Sequence, residues 1–178
     1  MMSAPVLSAP ALKAGVFDPP REAPAFSLQS SNGGTLALRD YRGKVVILGF
    51  GFTLCTEVCP VTLATLKLAR SKLGPDATDV QVLYVTVDPE RDNATRMQQY
   101  LHAFDPTFVG GTGTDRALAA VRKDYGITAE KHGTGSNYTV AHSSFIYLID
   151  RQGRLRALMP YGRSADDYVH DLKILLAE

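Results

Sequence analysis

Two long apolar runs, at residues 44–52 and 80–88, dominate the hydrophobic pattern of the chain, and both are rich in β-branched and aromatic side chains. Runs of this kind predict β-strands that are covered on both faces. The segment between them predicts a helix from Pro60 to Leu73, because proline suits the first helical position and Gly74 provides a stop. The pattern therefore predicts a strand–helix–strand unit in which the two buried strands run parallel.

Shorter elements are predicted on both sides of this unit, and their order defines the fold class. Alternating apolar and polar positions around turn residues predict two β-hairpins, one centred on residues 32–34 and one on residues 151–153. A short strand is predicted near Phe108, and a polar insertion at residues 130–137. Three more helices are predicted at residues 92–104, at residues 114–126 and from residue 164 onwards. This order predicts an α/β, thioredoxin-like fold with an N-terminal β-hairpin and a polar insertion before the final β-hairpin.

Composition divides the chain into two parts and excludes some classes of function. Residues 1–24 are rich in Ala and Pro and predict a flexible tail or linker, so we expect the domain to comprise residues 25–178. The net charge is +1 and no block of Lys or Arg occurs, which argues against nucleic acid as a partner. Neither a spanning apolar run nor a signal peptide is found, so we expect a cytosolic protein or a chain from which a native signal or anchor was cut.

The only two cysteines, Cys55 and Cys59, follow the first buried strand, where the ligand sites of open α/β sheets gather. Because a residue before proline avoids the α region, we expect Cys59 at the N-cap of the helix. The positive helix N-terminus would then lower the cysteine pKa values and favour thiolates. Such thiolates can reduce a disulfide, attack a peroxide or bind a metal, and the alternative is an inert buried or disulfide-bonded pair. A peroxidase is disfavoured because no PxxxTxxC pattern is present.

A candidate third ligand, His142, stands immediately before a strongly apolar strand. In a thioredoxin-like sheet the start of that strand lies beside the cysteine turn, so the imidazole would face both sulfurs. Two thiolates and one imidazole suit Cu(I), and Cu(II) if an oxygen ligand joins, whereas structural zinc requires a fourth ligand. The alternative is an edge histidine bonded to a backbone carbonyl. Surface positions are expected for the other histidines, His102, His132 and His170.

Three motifs in sequence order resemble the Sco/SenC family, the copper chaperones for assembly of cytochrome c oxidase. They are CTEVCP at residues 55–60, VTVDPERD at residues 85–92 and the His-Ser pair at residues 142–143. The resemblance extends from about Phe17 to the C-terminus. It implies that Cys55, Cys59 and His142 bind Cu(I) and Cu(II).

The resemblance also implies roles for two acidic residues and for the redox state of the thiols. Asp88 is expected to approach the metal or to hydrogen-bond the histidine, whereas we expect Asp92 to be a helix cap. Oxidation to a Cys55–Cys59 disulfide would abolish the metal site, so copper loading and redox state are expected to be coupled.

The implied function is delivery of copper to the dinuclear copper site of cytochrome c oxidase subunit II, by a metallochaperone rather than an enzyme. The rival is a thiol–disulfide oxidoreductase that keeps the copper-ligand cysteines of the oxidase reduced, and only the chaperone needs His142 as a ligand. Another copper chaperone or a thiol reductase is a further expected partner. Family members are usually tethered to a membrane in the periplasm or the mitochondrial intermembrane space, so a periplasmic location with a trimmed membrane tether is expected.

Two positions depart from the pattern of the family. Thr56 follows the first cysteine where the family usually has Pro, and Ala141 precedes the histidine where the family usually has Asp. The first change alters the stiffness of the turn, and the second removes a carboxylate near the site. Neither change removes an expected ligand.

Overall fold

The computed structural model describes residues 11–178, which form a twisted central sheet with helices on both faces. The strands are β1 (Gly15–Glu22), β2 (Ser27–Ser30), β3 (Thr35–Ala37), β4 (Val45–Gly51), β5 (Val80–Thr86), β6 (Val109–Thr112), β7 (Ala129–His132), β8 (Thr139–His142), β9 (Ile146–Ile149) and β10 (Arg154–Met159). The helices are α1 (Val58–Leu73), α2 (Ala94–His102), α3 (Asp115–Tyr125) and α4 (Ala165–Leu176).

Eight of the strands form one mixed sheet in the order β1-β10-β9-β4-β5-β6-β2-β3. The neighbours β4, β5 and β6 are parallel, and β9 is antiparallel to β4. Every residue of β4 and β5 is buried, which confirms the two covered strands predicted from their continuous apolar runs. The thioredoxin-like fold expected from the sequence is confirmed.

The side chains of the central strands alternate between two hydrophobic cores. On one face Ile47 of β4 belongs to a core that includes apolar residues of α1, α2 and α4. On the other face Leu48 belongs to a core that includes apolar residues of α3. This alternation follows from the period of two along a strand, and it places α1 against one face of the sheet.

The first helix begins two residues earlier than the sequence predicted. Val58 is the first helical residue and Glu57 is the N-cap, so Cys59 lies inside the first turn and the expected N-cap position for Cys59 is wrong. Pro60 is accommodated at the third helical position because the first backbone N–H groups of a helix have no partner within the helix. Cys59 consequently faces the core instead of solvent.

The N-terminal segment is the largest departure from the predicted domain boundary. Residues 15–22 were expected in a flexible tail, but they form β1, which pairs antiparallel with β10 at the edge of the sheet. Most β1 side chains are exposed, so the strand depends on backbone pairing and carries no apolar alternation that a sequence could reveal. The part of the tail prediction that concerns residues 1–10 lies outside the described residues.

The polar insertion folds as a hairpin of β7 and β8, which forms a separate two-stranded sheet. Gly133 and Gly135 adopt positive φ angles in its turn, where a Cβ would be strained. The register pairs Ala129 with His142, so the predicted metal ligand is the last residue of β8. In the part of the chain from residue 11 onward, none of the helices has the length and apolar character needed to cross a membrane.

We predict that Asp171→Ala destabilises the protein by about 3 kcal/mol, because it removes the acceptor that anchors the start of β1. The fully buried Asp171 carboxylate accepts the backbone N–H groups of Lys13 at 2.8 Å and Ala14 at 2.9 Å. Urea unfolding measures the change. Asp166→Ala removes an exposed ion pair with Lys72 and is the control, with an expected change within about 1 kcal/mol. Equal midpoints for the two variants would contradict the anchoring role.

Candidate metal centre

The two cysteines lie on the turn that connects β4 to α1. The turn is closed by a hydrogen bond from the backbone N–H of Cys55 to the carbonyl of Phe52, at 3.2 Å. The backbone N–H of Cys59 points at Cys55 Sγ, 3.4 Å away, as expected for a sulfur above a helix N-terminus. Both thiols are free, with Cys55 half-buried and Cys59 only 1% exposed. The two cysteines therefore differ greatly in solvent exposure.

The Asp92 carboxylate ties the cysteine turn to the loop that follows β5. It accepts the Thr53 backbone N–H at 2.9 Å, the Thr53 hydroxyl at 2.5 Å and the Thr86 hydroxyl at 2.8 Å. The expectation that Asp92 is a helix cap is wrong, since Asn93 caps α2 by accepting the backbone N–H of Arg96. Asp92 instead fixes the backbone two residues before Cys55.

His142 presents one ring nitrogen to the buried sulfur. Its Nδ1 lies 2.8 Å from the carbonyl oxygen of Ser143, and because a carbonyl only accepts, Nδ1 must carry the proton. The lone pair is then on Nε2, which faces Cys59 Sγ at 3.8 Å. Burial lowers the pKa of His142 below its ordinary value, so the neutral ring persists at neutral pH. The imidazole is thus oriented as a metal ligand would be.

Cys59 does not have the lowered pKa that its place near a helix N-terminus suggested. Burial raises the pKa of the Cys59 thiol to about 12, although a hydrogen bond from Tyr84 acts in the opposite direction. Removal of the thiolate from solvent outweighs the helix dipole because the side chain is almost fully enclosed. Cys59 is therefore a protonated thiol at neutral pH.

The hairpin that carries His142 is fastened to the acidic loop after β5. The Tyr138 hydroxyl donates to one Asp88 oxygen and the Arg91 guanidinium donates to the other, each at 2.5 Å. The Arg91 guanidinium also stacks 3.6 Å from the centre of the Tyr138 ring. In this conformation Asp88 bonds to these two residues and the His142 ring bonds to Ser143, so a direct role of Asp88 at a metal stays a prediction.

The donor atoms lie near one another, but they do not yet form a complete three-ligand metal site. A sulfur and a ring nitrogen bonded to one first-row ion at about 2.3 Å and 2.0 Å, and separated by about 120°, lie about 3.7 Å apart. The distance of 3.8 Å between Cys59 Sγ and His142 Nε2 matches this separation. From residue 11 to the C-terminus, however, no three His, Cys, Asp or Glu side chains are grouped so that they could hold an ion. Closing the site needs a movement of Cys55.

The space in front of these donors is open to solvent. A cavity of about 420 Å³ is lined by residues of the cysteine turn and of β8, including Cys55 and His142. Thr56 and Ala141, the two positions that depart from the family pattern, also line it and are exposed. The departures at Thr56 and Ala141 therefore change the rim of the cavity and leave the three expected ligands in place.

The other histidines have different surroundings. His170 pairs with Asp171, and His132 lies 3.9 Å from Glu130 on the exposed hairpin. Sequence reasoning missed Thr53, Tyr138 and the Ser143 carbonyl, which position the site. The contacts of Thr53 with Asp92 and of Tyr138 with Asp88 connect segments far apart in the chain, so spacing along a single sequence carries no signal of them. Ser143 is next to His142 in the chain, but whether its carbonyl meets the ring depends on the local backbone conformation.

The chain is similar to known proteins in both sequence and fold. A family model described as SCO1/SenC matches residues 17–177. The mouse protein named Protein SCO2 homolog, mitochondrial, is 34% identical over 152 residues, which cover 83% of this chain and 60% of that protein. The chain therefore spans about 60% of the length of the curated relatives it matches.

Solved structures are similar over most of the chain. Bradyrhizobium japonicum ScoI with copper bound has a TM-score of 0.80 at 34% identity, covering 86% of this chain and 99% of that one. A SCO1/SenC family lipoprotein from Bacillus anthracis str. Ames has a TM-score of 0.78 at 25% identity, covering 94% and 100%.

We predict that Asp92→Asn loosens the cysteine turn. The carboxylate uses both oxygens: Oδ1 accepts the Thr53 hydroxyl, and Oδ2 accepts the Thr53 backbone N–H and the Thr86 hydroxyl. An amide offers one neutral acceptor oxygen in place of two charged ones, so at least one of these bonds is lost and the others weaken. About 2 kcal/mol of stability is therefore lost, and the Thr53 amide exchanges faster with solvent. Urea unfolding and amide hydrogen exchange measure the two effects. Asp124→Asn, on the exposed surface of α3, is the control and should change neither. Unchanged protection of the Thr53 amide in the Asp92 variant would show that the carboxylate does not hold the turn.

We predict that Cys59 stays protonated well above neutral pH. In Cys55→Ser, less than about 1% of Cys59 should be thiolate at pH 9, because burial raises its pKa to about 12. A free thiol with an ordinary pKa would be about 75% ionised there. Thiolate absorbance in the ultraviolet measures this fraction, and the same variant in denaturant provides the reference. Similar absorbance in the folded and denatured states would contradict the burial argument.

Proposed function

The chain belongs to the SCO1/SenC family, and from that premise we propose that it binds one copper ion through Cys55, Cys59 and His142 and delivers it during assembly of cytochrome c oxidase. The observation that carries the proposal is the lone pair of His142 Nε2 directed at Cys59 Sγ, 3.8 Å away. A related ScoI structure, 34% identical to this chain, contains copper.

The donor set is chemically suited to copper. Two thiolates and one imidazole form a soft, three-coordinate set that favours Cu(I), and a water or carboxylate oxygen from the open cavity could complete a site for Cu(II). A structural zinc ion would require a fourth protein ligand. Copper is here the cargo of the protein, and the cavity gives the ion a route in and out.

Binding requires two local changes. Cys59 is a thiol in the metal-free protein, so an incoming ion displaces its proton, and the affinity is expected to rise with pH. Cys55 must turn its sulfur from the helix N-terminus towards the other two donors, and it lies in the turn before α1, outside the helix itself. Together these changes close the three-ligand site.

The proposed recipient is the dinuclear copper site of cytochrome c oxidase subunit II, and another copper chaperone is the proposed donor. We propose an extracytoplasmic, membrane-associated location, in keeping with the mitochondrial relative and with the lipoprotein relative. A thiol–disulfide oxidoreductase remains the rival function. That activity has no use for an imidazole aimed at the buried sulfur, so His142 distinguishes the two.

We predict that the reduced protein binds one Cu(I) per chain under anaerobic conditions. Cys55→Ser, Cys59→Ser and His142→Ala should each weaken binding by at least about a hundredfold, since a lost ligand costs more than the 10- to 100-fold typical of a lost supporting contact. Competition with a calibrated Cu(I) chelator measures the affinity.

Two controls make this experiment decisive. His170→Ala removes a histidine of α4 that pairs with Asp171 and should leave the affinity unchanged. A thiol count verifies that both cysteines remain reduced in His142→Ala. Unchanged copper affinity in His142→Ala would reject the three-ligand site and favour the oxidoreductase. A cysteine variant that binds normally would reject the site altogether.

A further inference from the structure

Tyr84 is a fully enclosed tyrosine at the centre of β5, only 2% exposed. It belongs to the same hydrophobic core as Cys59 and the apolar residues of α1. A phenylalanine ring would fill the same space, so packing alone does not account for the hydroxyl group. Buried phenol groups usually have a hydrogen-bond partner because a bare polar atom in a core is costly.

Two glycines of β4 make room for the Tyr84 side chain beside the buried sulfur. A methyl group at Gly49 would lie 2.8 Å from the Tyr84 ring. A methyl group at Gly51 would overlap the Tyr84 hydroxyl and lie 2.7 Å from Cys59 Sγ. The hydroxyl and the sulfur therefore lie next to each other in the small volume above Gly51.

A second tyrosine shows that nearness to the cysteines does not by itself provide a partner. The Tyr100 hydroxyl is also buried in this core, but in the part of the chain that the structure describes it has no hydrogen-bond partner. The contact with Cys59 thus distinguishes Tyr84 from its neighbour. Tyr100 is a natural comparison, since it has the same chemical group in the same core.

We propose that Tyr84 is a positioning residue whose hydroxyl donates a hydrogen bond to Cys59 Sγ and thereby favours bound Cu(I) over bound Cu(II). This role rests on the proposed copper site. A hydrogen bond draws electron density from the sulfur and weakens its donation to the metal. Cu(II) depends more on that donation than Cu(I) does, and hydrogen bonding around a cysteine sulfur is known to tune copper potentials.

Tyr84→Phe removes the hydroxyl group and keeps the ring. The ratio of the Cu(II) to the Cu(I) dissociation constant, from chelator competition, should fall roughly fivefold, as expected for the loss of one hydrogen bond. The thiolate-to-Cu(II) charge-transfer band should move to longer wavelength, because the sulfur lone pair is no longer stabilised. Tyr100→Phe is the matched control and should change neither quantity. A purely structural defect would not shift the band.

The outcomes separate this inference from the proposed function. Wild-type protein that binds neither ion overturns the copper site and the role of Tyr84 together. The role of Tyr84 alone is overturned if the wild-type protein binds both ions and Tyr84→Phe has the same ratio of dissociation constants and the same charge-transfer band position. Equal shifts in the Tyr100 variant would also reject it, because a general change in the core would then be the cause.

A measurement on the copper-free protein tests the contact itself. The buried Tyr84 hydroxyl proton should exchange slowly enough to give a proton NMR signal that Tyr84→Phe abolishes. Cys59→Ser should shift this signal, because the acceptor changes from sulfur to oxygen. A signal that Cys59→Ser leaves in place would overturn the proposed hydrogen bond.

Discussion

The parallel pairing of β4 with β5 is the constraint on which the site depends. Its register sets Gly51 opposite Thr86, so the loops after both strands leave the sheet at the same edge. One loop carries the cysteines and the other carries the acidic residues, and their proximity follows from this register. The Asp92 carboxylate then joins the two loops with hydrogen bonds to Thr53 and Thr86.

Buried carboxylates hold different secondary-structure elements of this fold together by hydrogen bonds. Asp92, Asp88 and Asp171 have no exposed surface, and each accepts hydrogen bonds from groups on a different element. A buried charge is tolerated only when it is fully bonded, so each of these residues restrains the segments around it. Asp88 bonds to the hairpin of β7 and β8, so the placement of His142 depends on a side chain that was predicted from the sequence to approach the metal or to hydrogen-bond the histidine.

The sequence predicted what local patterns determine. Continuous apolar runs revealed β4 and β5, and turn and capping residues revealed the hairpins and α4, whose capping box is present. The strand β1 was missed because its pairing uses backbone groups and leaves no apolar pattern. The raised pKa of Cys59 was missed because burial depends on how α1 packs against the sheet, which proximity to a helix N-terminus does not reveal. The approach of His142 to Cys59 was predicted from its place before an apolar strand, because the topology of the sheet brings that position beside the cysteine turn.

The unequal depth of the two sulfurs fixes the order in which a partner protein can meet them. Cys55 lines the open cavity, whereas Cys59 lies beneath it with almost no exposed surface. In the proposed copper site, an incoming thiol would therefore reach the ion by replacing Cys55 while Cys59 still holds it. Transfer from the proposed site would then be a stepwise ligand exchange in which Cys59 is the last ligand to dissociate, which would keep the ion bound to protein throughout.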